Sequence, residues 1–171
     1  PEVHVGDADL DLGHRLAASG NDHRKFLRQI FVSVDITAPL YWWKEFDTYK
    51  VGTVRNSCST MHKIHSKEFT LDDFSHEHLY DDTISLLDAT VAKLNYYRQK
   101  FLKEKNKDDW WQMIQLLPSS YNQKRTIMLN YEVLAGIYPM RKDHKLDEWH
   151  TFCDWIESLP YSELITGIEK E

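Results

Sequence analysis

Ile30-Phe31-Val32-Ser33-Val34-Asp35-Ile36, followed at once by Thr37-Ala38-Pro39-Leu40-Tyr41-Trp42-Trp43-Lys44-Glu45-Phe46-Asp47, is the stretch that decides the architecture. Phe31, Val32, Val34 and Ile36 are β-formers, and Ser33 and Asp35 alternate with apolar neighbours, which predicts a strand over 30–36. Thr37 is an N-cap type, and Pro39 suits a first helical turn. A helix is therefore expected from Thr37 to about Asp47.

Upstream, Ala8, Leu12 and Leu16 share one face of a helix read from Asp7 to Ser19, with Gly20 as its stop. Downstream, Val51 to Met61 is small and polar and contains Gly52, which reads as loop and short strand. Asp81 or Asp82 opens the longest helix, ending near Lys103, with Ile84, Leu87, Val91, Leu94 and Phe101 at helical spacing. Asn106 caps a further helix through Leu117, stopped by Pro118. Arg125 to Leu129 reads as a strand. Tyr131 to about Tyr138 reads as a short helix, strained or ended by Pro139. Leu146 to Ser158 is amphipathic, with Trp149, Phe152, Cys153 and Ile156 on one side. Several helices around few strands, without regular alternation, predict an α+β fold.

The 171 residues suffice for one domain with a real core, and 42% apolar with 13% aromatic residues excludes a disordered chain. No apolar run approaches the roughly 20 residues that span a bilayer, and no signal-peptide pattern opens the chain. A cytoplasmic protein with no membrane partner is expected. The chain starts at Pro1 rather than Met, so an N-terminal segment is expected ahead of it. Net charge is −6, which argues against duplex nucleic acid as a partner but leaves room for a small basic pocket. Cys58 and Cys153 do not make a disulfide framework.

Three segments carry a family resemblance. The first is His23-Arg24-Lys25-Phe26-Leu27-Arg28-Gln29 leading into the strand at Ile30. The second is the apolar helix from Ala38 to Phe46, then Thr48-Tyr49-Lys50 and, beyond seven intervening residues, Cys58 and Thr60. The third is Leu117-Pro118, then Thr126-Ile127-Met128-Leu129-Asn130, with Arg141 eleven residues after Asn130. In order and spacing these resemble the flavin-dependent thymidylate synthases, in which a His leads to Glu-His before a strand, Arg-His-Arg follows an apolar helix, and a strand ends in Asn ahead of an Arg. The resemblance covers roughly residues 20–62 and 115–155.

The resemblance implies a small, mostly antiparallel sheet packed with several helices, over a single domain spanning 1–171. It implies FAD as cofactor, NADPH and methylenetetrahydrofolate as co-substrates, and methylation of dUMP to dTMP. Arg141 would lie against the uracil ring, where a guanidinium stabilises developing negative charge. Thr48, Tyr49, Lys50 and Asn130 would face the flavin. Lys50, Cys58 and Thr60 would face the nucleotide. A homotetramer is expected, since such sites form where subunits meet.

The departures from the family pattern matter equally. Thr48 and Tyr49 stand where it has Arg and His, Cys58 and Thr60 where it has Ser and Arg, and Glu132 where it has Arg. Each lost charge-assisted contact is worth roughly 1.5–3 kcal/mol, so weaker nucleotide binding follows. Lys50 keeps a charge without the bidentate fork of arginine. A non-catalytic homologue that retains the fold for binding or assembly is the alternative.

Plainer roles stand beside these. Arg141 is also a cation suited to a helix end, Asn130 a cap, Lys50 a solvated loop residue and Cys58 a small core residue. His62 with His65, and His76 with His78, are spaced too loosely for a structural metal site. Trp42-Trp43 and Trp110-Trp111 read as core or subunit-contact pairs, with a stacking platform for flavin or folate as the alternative, and Lys100, Lys103, Lys105 and Lys107 read as a solvated helix end.

Overall fold

A computed structural model describes residues 4–57 and 59–167. In chain order it contains α1 (Asp7–Ala18), a 3-10 helix (Arg24–Gln29), β1 (Phe31–Pro39), α2 (Leu40–Phe46), β2 (Val54–Ser57) and α3 (Thr60–Lys63). There follow a 3-10 turn (Leu71–Asp73), α4 (Asp81–Glu104), α5 (Lys107–Leu116), β3 (Asn122–Asn130), α6 (Tyr131–Arg141), α7 (Asp147–Glu157) and α8 (Glu163–Thr166). The sheet has the order β1-β3-β2. The α+β expectation is met.

The described residues within 1–34, 49–55 and 127–171 form one compact unit, and those within 35–48 and 56–126 form a second. In the first unit, Tyr131 N–H donates to Ile30 O at 3.0 Å. In the second, Leu40 N–H donates to Tyr121 O at 3.0 Å. Numbers rise along β1 as they fall along β3, so the two strands are antiparallel. Along β1 the odd-numbered residues to Thr37 are exposed and Val32, Val34 and Ile36 are half-buried, the period-two pattern of a strand.

The first unit is built on α6, whose Leu134, Ile137 and Tyr138 are buried. It packs with α7, α8 and the 3-10 helix Arg24–Gln29. The sequence reading, a helix to about Tyr138 strained or ended by Pro139, is corrected here: α6 runs through Pro139 to Arg141. Proline removes one backbone donor and crowds the preceding turn. That loss falls in the last turn, where Lys142 N–H already closes on Tyr138 O at 3.0 Å, and packing holds the rest.

In the second unit, α4 packs along α5. Leu87, Val91 and Leu94 join Ile64, Phe69, Phe74 and Met113 in one core cluster. Asn106 caps α5 as read from sequence, its side chain accepting from Asp108 N–H at 3.0 Å. Thr37 is not the cap of α2: it stays in β1, and Pro39 occupies the cap position. A residue preceding proline is pushed to extended backbone, so Ala38 cannot be helical. The first donors of α2 are met instead by Tyr121 O and by Ser119 O, which accepts from Tyr41 N–H at 3.1 Å. Trp42 and Trp43 are both fully buried, edge to face at 4.8 Å.

Candidate functional site

The loop Tyr49–Arg55 closes on its own first carbonyl. Thr53 Oγ1 and Arg55 Nη2 each donate to Tyr49 O at 2.6 Å, and Arg55 Nη2 also reaches Thr53 Oγ1 at 3.1 Å. Gly52 turns this loop at φ +73°, and a Cβ there would lie 2.7 Å from Val133 Cγ2 and 3.6 Å from Asn130 Nδ2. Only glycine meets both demands without strain.

The loop presents the Tyr49 side chain to Arg141, the last residue of α6. Arg141 Nε donates to Tyr49 Oη at 2.8 Å. The guanidinium carbon lies 4.4 Å from the Trp149 ring centre and 5.5 Å from that of Tyr49. Tyr49 meets Trp149 edge-on at 6.1 Å, and Trp149 is fully buried on α7. A guanidinium resting on an indole and tied through Nε has its plane fixed, which a lysine could not reproduce. His144 completes the aromatic wall 6.2 Å from Trp149, its Nδ1 accepting from Leu146 N–H at 3.1 Å.

Asn130 ends β3 and caps α6. Its Oδ1 accepts from Val133 N–H at 3.0 Å and the residue is buried. Sequence reasoning saw both roles as open, and the cap is realised. Lys50 is exposed on the loop beside Tyr49. Tyr49, Lys50, Asn130 and Arg141 thus belong to one unit.

Thr48 and Thr60 belong to the other. Thr48 is exposed, its Oγ1 donating to Glu45 O at 2.7 Å at the end of α2. Thr60 opens α3, and its Oγ1 accepts from Gln123 Nε2 at 2.6 Å. It lines a cavity of about 480 Å³ with Ser59, Lys63, Asn122 and Lys124. Cys58 lies outside the described residues.

Glu132, which stands where the family pattern has a cation, makes a two-pronged ion pair with Arg28. The Arg28 hydrogen bond holds the Glu132 carboxyl below the usual glutamate value, and Arg24 and Lys25 add to the effect. Trp149 is the residue that sequence reading missed: it was legible only as one apolar position on an amphipathic helix. Cys153, on the same helix, is buried, and its thiol is pushed up to about 11 by desolvation and nearby acids. It is no nucleophile at neutral pH. Among the described residues no three His, Cys, Asp or Glu side chains gather as a metal site.

No family model matches the sequence, and no curated protein matches it. Solved structures do. Thymidylate Synthase X (ThyX) from Helicobacter pylori with FAD and dUMP superposes with a TM-score of 0.72 at 16% identity, over 96% of this chain and 83% of that one. A second Helicobacter pylori ThyX complex gives 0.68 at 16% identity, over 94% and 82%. The chain has the fold of a flavin-dependent thymidylate synthase subunit. The UMP/dUMP methylase PolB from Streptomyces cacaoi, bound with 5-Br dUMP, shares the ThyX fold with this chain at a TM-score of 0.63 and 12% identity, over 98% and 82%. In the described residues no helix is long and apolar enough to cross a membrane.

Proposed function

We propose that the chain is a divergent flavin-dependent thymidylate synthase-type subunit. It binds a pyrimidine nucleotide against Arg141 and FAD beside Tyr49, Lys50 and Asn130, acting as one domain over 1–171. The observation that carries this reading is the clamped guanidinium: Arg141 tied to Tyr49 Oη at 2.8 Å and seated on buried Trp149. An oriented fork of donors on an aromatic floor suits a flat ring that gains negative charge.

The residues present fit a flavin nucleotide in part. Tyr49 and Lys50 supply a ring and a cation on a loop held by internal hydrogen bonds, and the Asn130 amide lies under the Gly52 turn. When bound, the flavin supplies the hydride chemistry, with NADPH and methylenetetrahydrofolate as co-substrates. Arg141 would orient the pyrimidine and hold charge on it, while Lys50 would face a phosphate, as Thr60 and Cys58 would at the nucleotide. Thr48 would contact the flavin through its hydroxyl. A homotetramer in the cytoplasm belongs to this proposal, because sites of this kind are completed by neighbouring subunits.

The reading is tested by the visible spectrum and FAD binding of the purified protein, with and without dUMP, and by dTMP formation with all co-substrates. Flavin bands, saturable FAD binding strengthened by dUMP, and tetramers in light scattering are expected. Protein that takes up neither FAD nor dUMP would sink it.

One observation favours a second reading, a non-catalytic homologue. Glu132 and Arg28 neutralise one another, so that position offers an anionic ligand no net charge. FAD and dUMP binding without any dTMP formation would select this reading.

A further inference from the structure

The second unit carries a cleft of about 310 Å³ lined by His62, His65, Phe101, Lys105, Lys107 and Trp110. It gathers residues that the proposed thymidylate chemistry leaves unused. Among the described residues two lysines and two imidazoles line it and no carboxylate does, on a chain whose net charge is −6. Its floor is aromatic and rigid, because Phe101 and Trp110 both pack against the core cluster around Leu94 and Met113. His65 meets Phe101 edge to face at 4.9 Å. His65 Nδ1 is buried with no hydrogen-bond partner among the described residues.

Lys105 and Lys107 flank the turn from α4 to α5 at the edge of the cleft. Lys105 follows α4 in the left-handed conformation at φ 54°, a state that costs a non-glycine residue free energy, and α5 then starts at Lys107. Lys105 Nζ lies 5.5 Å from the Phe101 ring centre, and Lys107 Nζ lies 6.0 Å from that of Trp111.

We propose that this cleft binds a small aromatic anion, a planar ring carrying a phosphate. The ring lies on Phe101 and Trp110, and the phosphate is held by Lys105 and Lys107, with the imidazoles of His62 and His65 beside it.

Calorimetric titration of the full chain with phenyl phosphate tests this, with inorganic phosphate and phenol in parallel. Saturable binding of phenyl phosphate is expected, at least about tenfold tighter than either fragment and about tenfold weaker in a Lys105→Asn, Lys107→Gln double variant. Asparagine tolerates the left-handed backbone, so the variant keeps the turn. In proton NMR the ring signals of His62 and His65, assigned through single His→Gln variants, move during the titration. Absent saturation, inorganic phosphate binding equally well, undiminished binding in the double variant, or shifts at other histidines only would each overturn the proposal. None of these readouts depends on flavin or dUMP.

Discussion

Arg141 Nε donates to the hydroxyl of Tyr49 at 2.8 Å, across 92 positions of sequence. Tyr49→Phe removes that acceptor and leaves the ring in contact with Trp149. The loss should be about 0.5–1.5 kcal/mol of stability, the net worth of one hydrogen bond. dUMP affinity should fall with it, because the guanidinium loses its tether. Urea unfolding and nucleotide titration measure the two effects. A variant indistinguishable from the parent in both would show that the tether orients nothing.

Trp149 is fully buried against Tyr49, His144 and Phe152. Trp149→Ala should cost about 3–5 kcal/mol, the range for deleting a large aromatic from a core. Trp149→Phe should retain most stability while removing part of the floor beneath Arg141. Chemical denaturation of the pair decides it. A cost below about 1 kcal/mol for the alanine variant would mean that the site is not packed as described.

Gly52→Ala combines a positive φ with a Cβ placed 2.7 Å from Val133 Cγ2. It should destabilise by more than the roughly 1 kcal/mol of the backbone effect alone. Val133→Ala in the same chain removes the clash but not the φ penalty, so a double-mutant cycle should show partial recovery. Strictly additive losses would place the two residues apart.

The Glu132 carboxyl is held down chiefly by its hydrogen bond to Arg28. A depressed carboxyl contributes stability that is present above the unfolded-state value, about 4.3, and is lost as pH falls through the folded-state value. The stability gap between the parent chain and Glu132→Gln should therefore be widest near neutrality and should close in acid below about pH 4. Thermal melts of both across pH 2.5–7 test this, a range set by that reference value. A gap that is constant with pH would assign the effect to packing.

Burial and the neighbouring Glu157, Asp154 and Asp143 raise the Cys153 thiol to about 11. Maleimide at about pH 7.5 should leave Cys153 unmodified in native protein and label it after denaturation, since the thiolate is the reacting species. Peptide mass spectrometry reads the result site by site. Rapid native labelling at Cys153 would contradict its burial.

Much of the fold was legible because it rests on local rules. The α4 stripe of Leu87, Val91 and Leu94, the Asn106 cap and the apolar face of α7 are all buried or capped as the spacing implied. The misreadings came where distant groups intervened. Thr37 looked like a cap, but Tyr121 O and Ser119 O, far along the chain, supply what a cap would have supplied. Pro139 reads as straining or ending the helix, but the packing of α6 carries the helix past it. α3 was not foreseen at all: four residues carry too little periodicity to signal a helix.

The sequence by itself determined the long helices and the main strands, the α+β class and the Asn130–Arg141 spacing. These depend on side-chain period and backbone preference within a few residues. Only the tertiary structure decided that Arg141 lies on Trp149, that Glu132 is neutralised by Arg28, and that Thr60 meets Gln123. Each of those pairings needs chain closure between elements, and residue types at separate positions carry no record of which will meet.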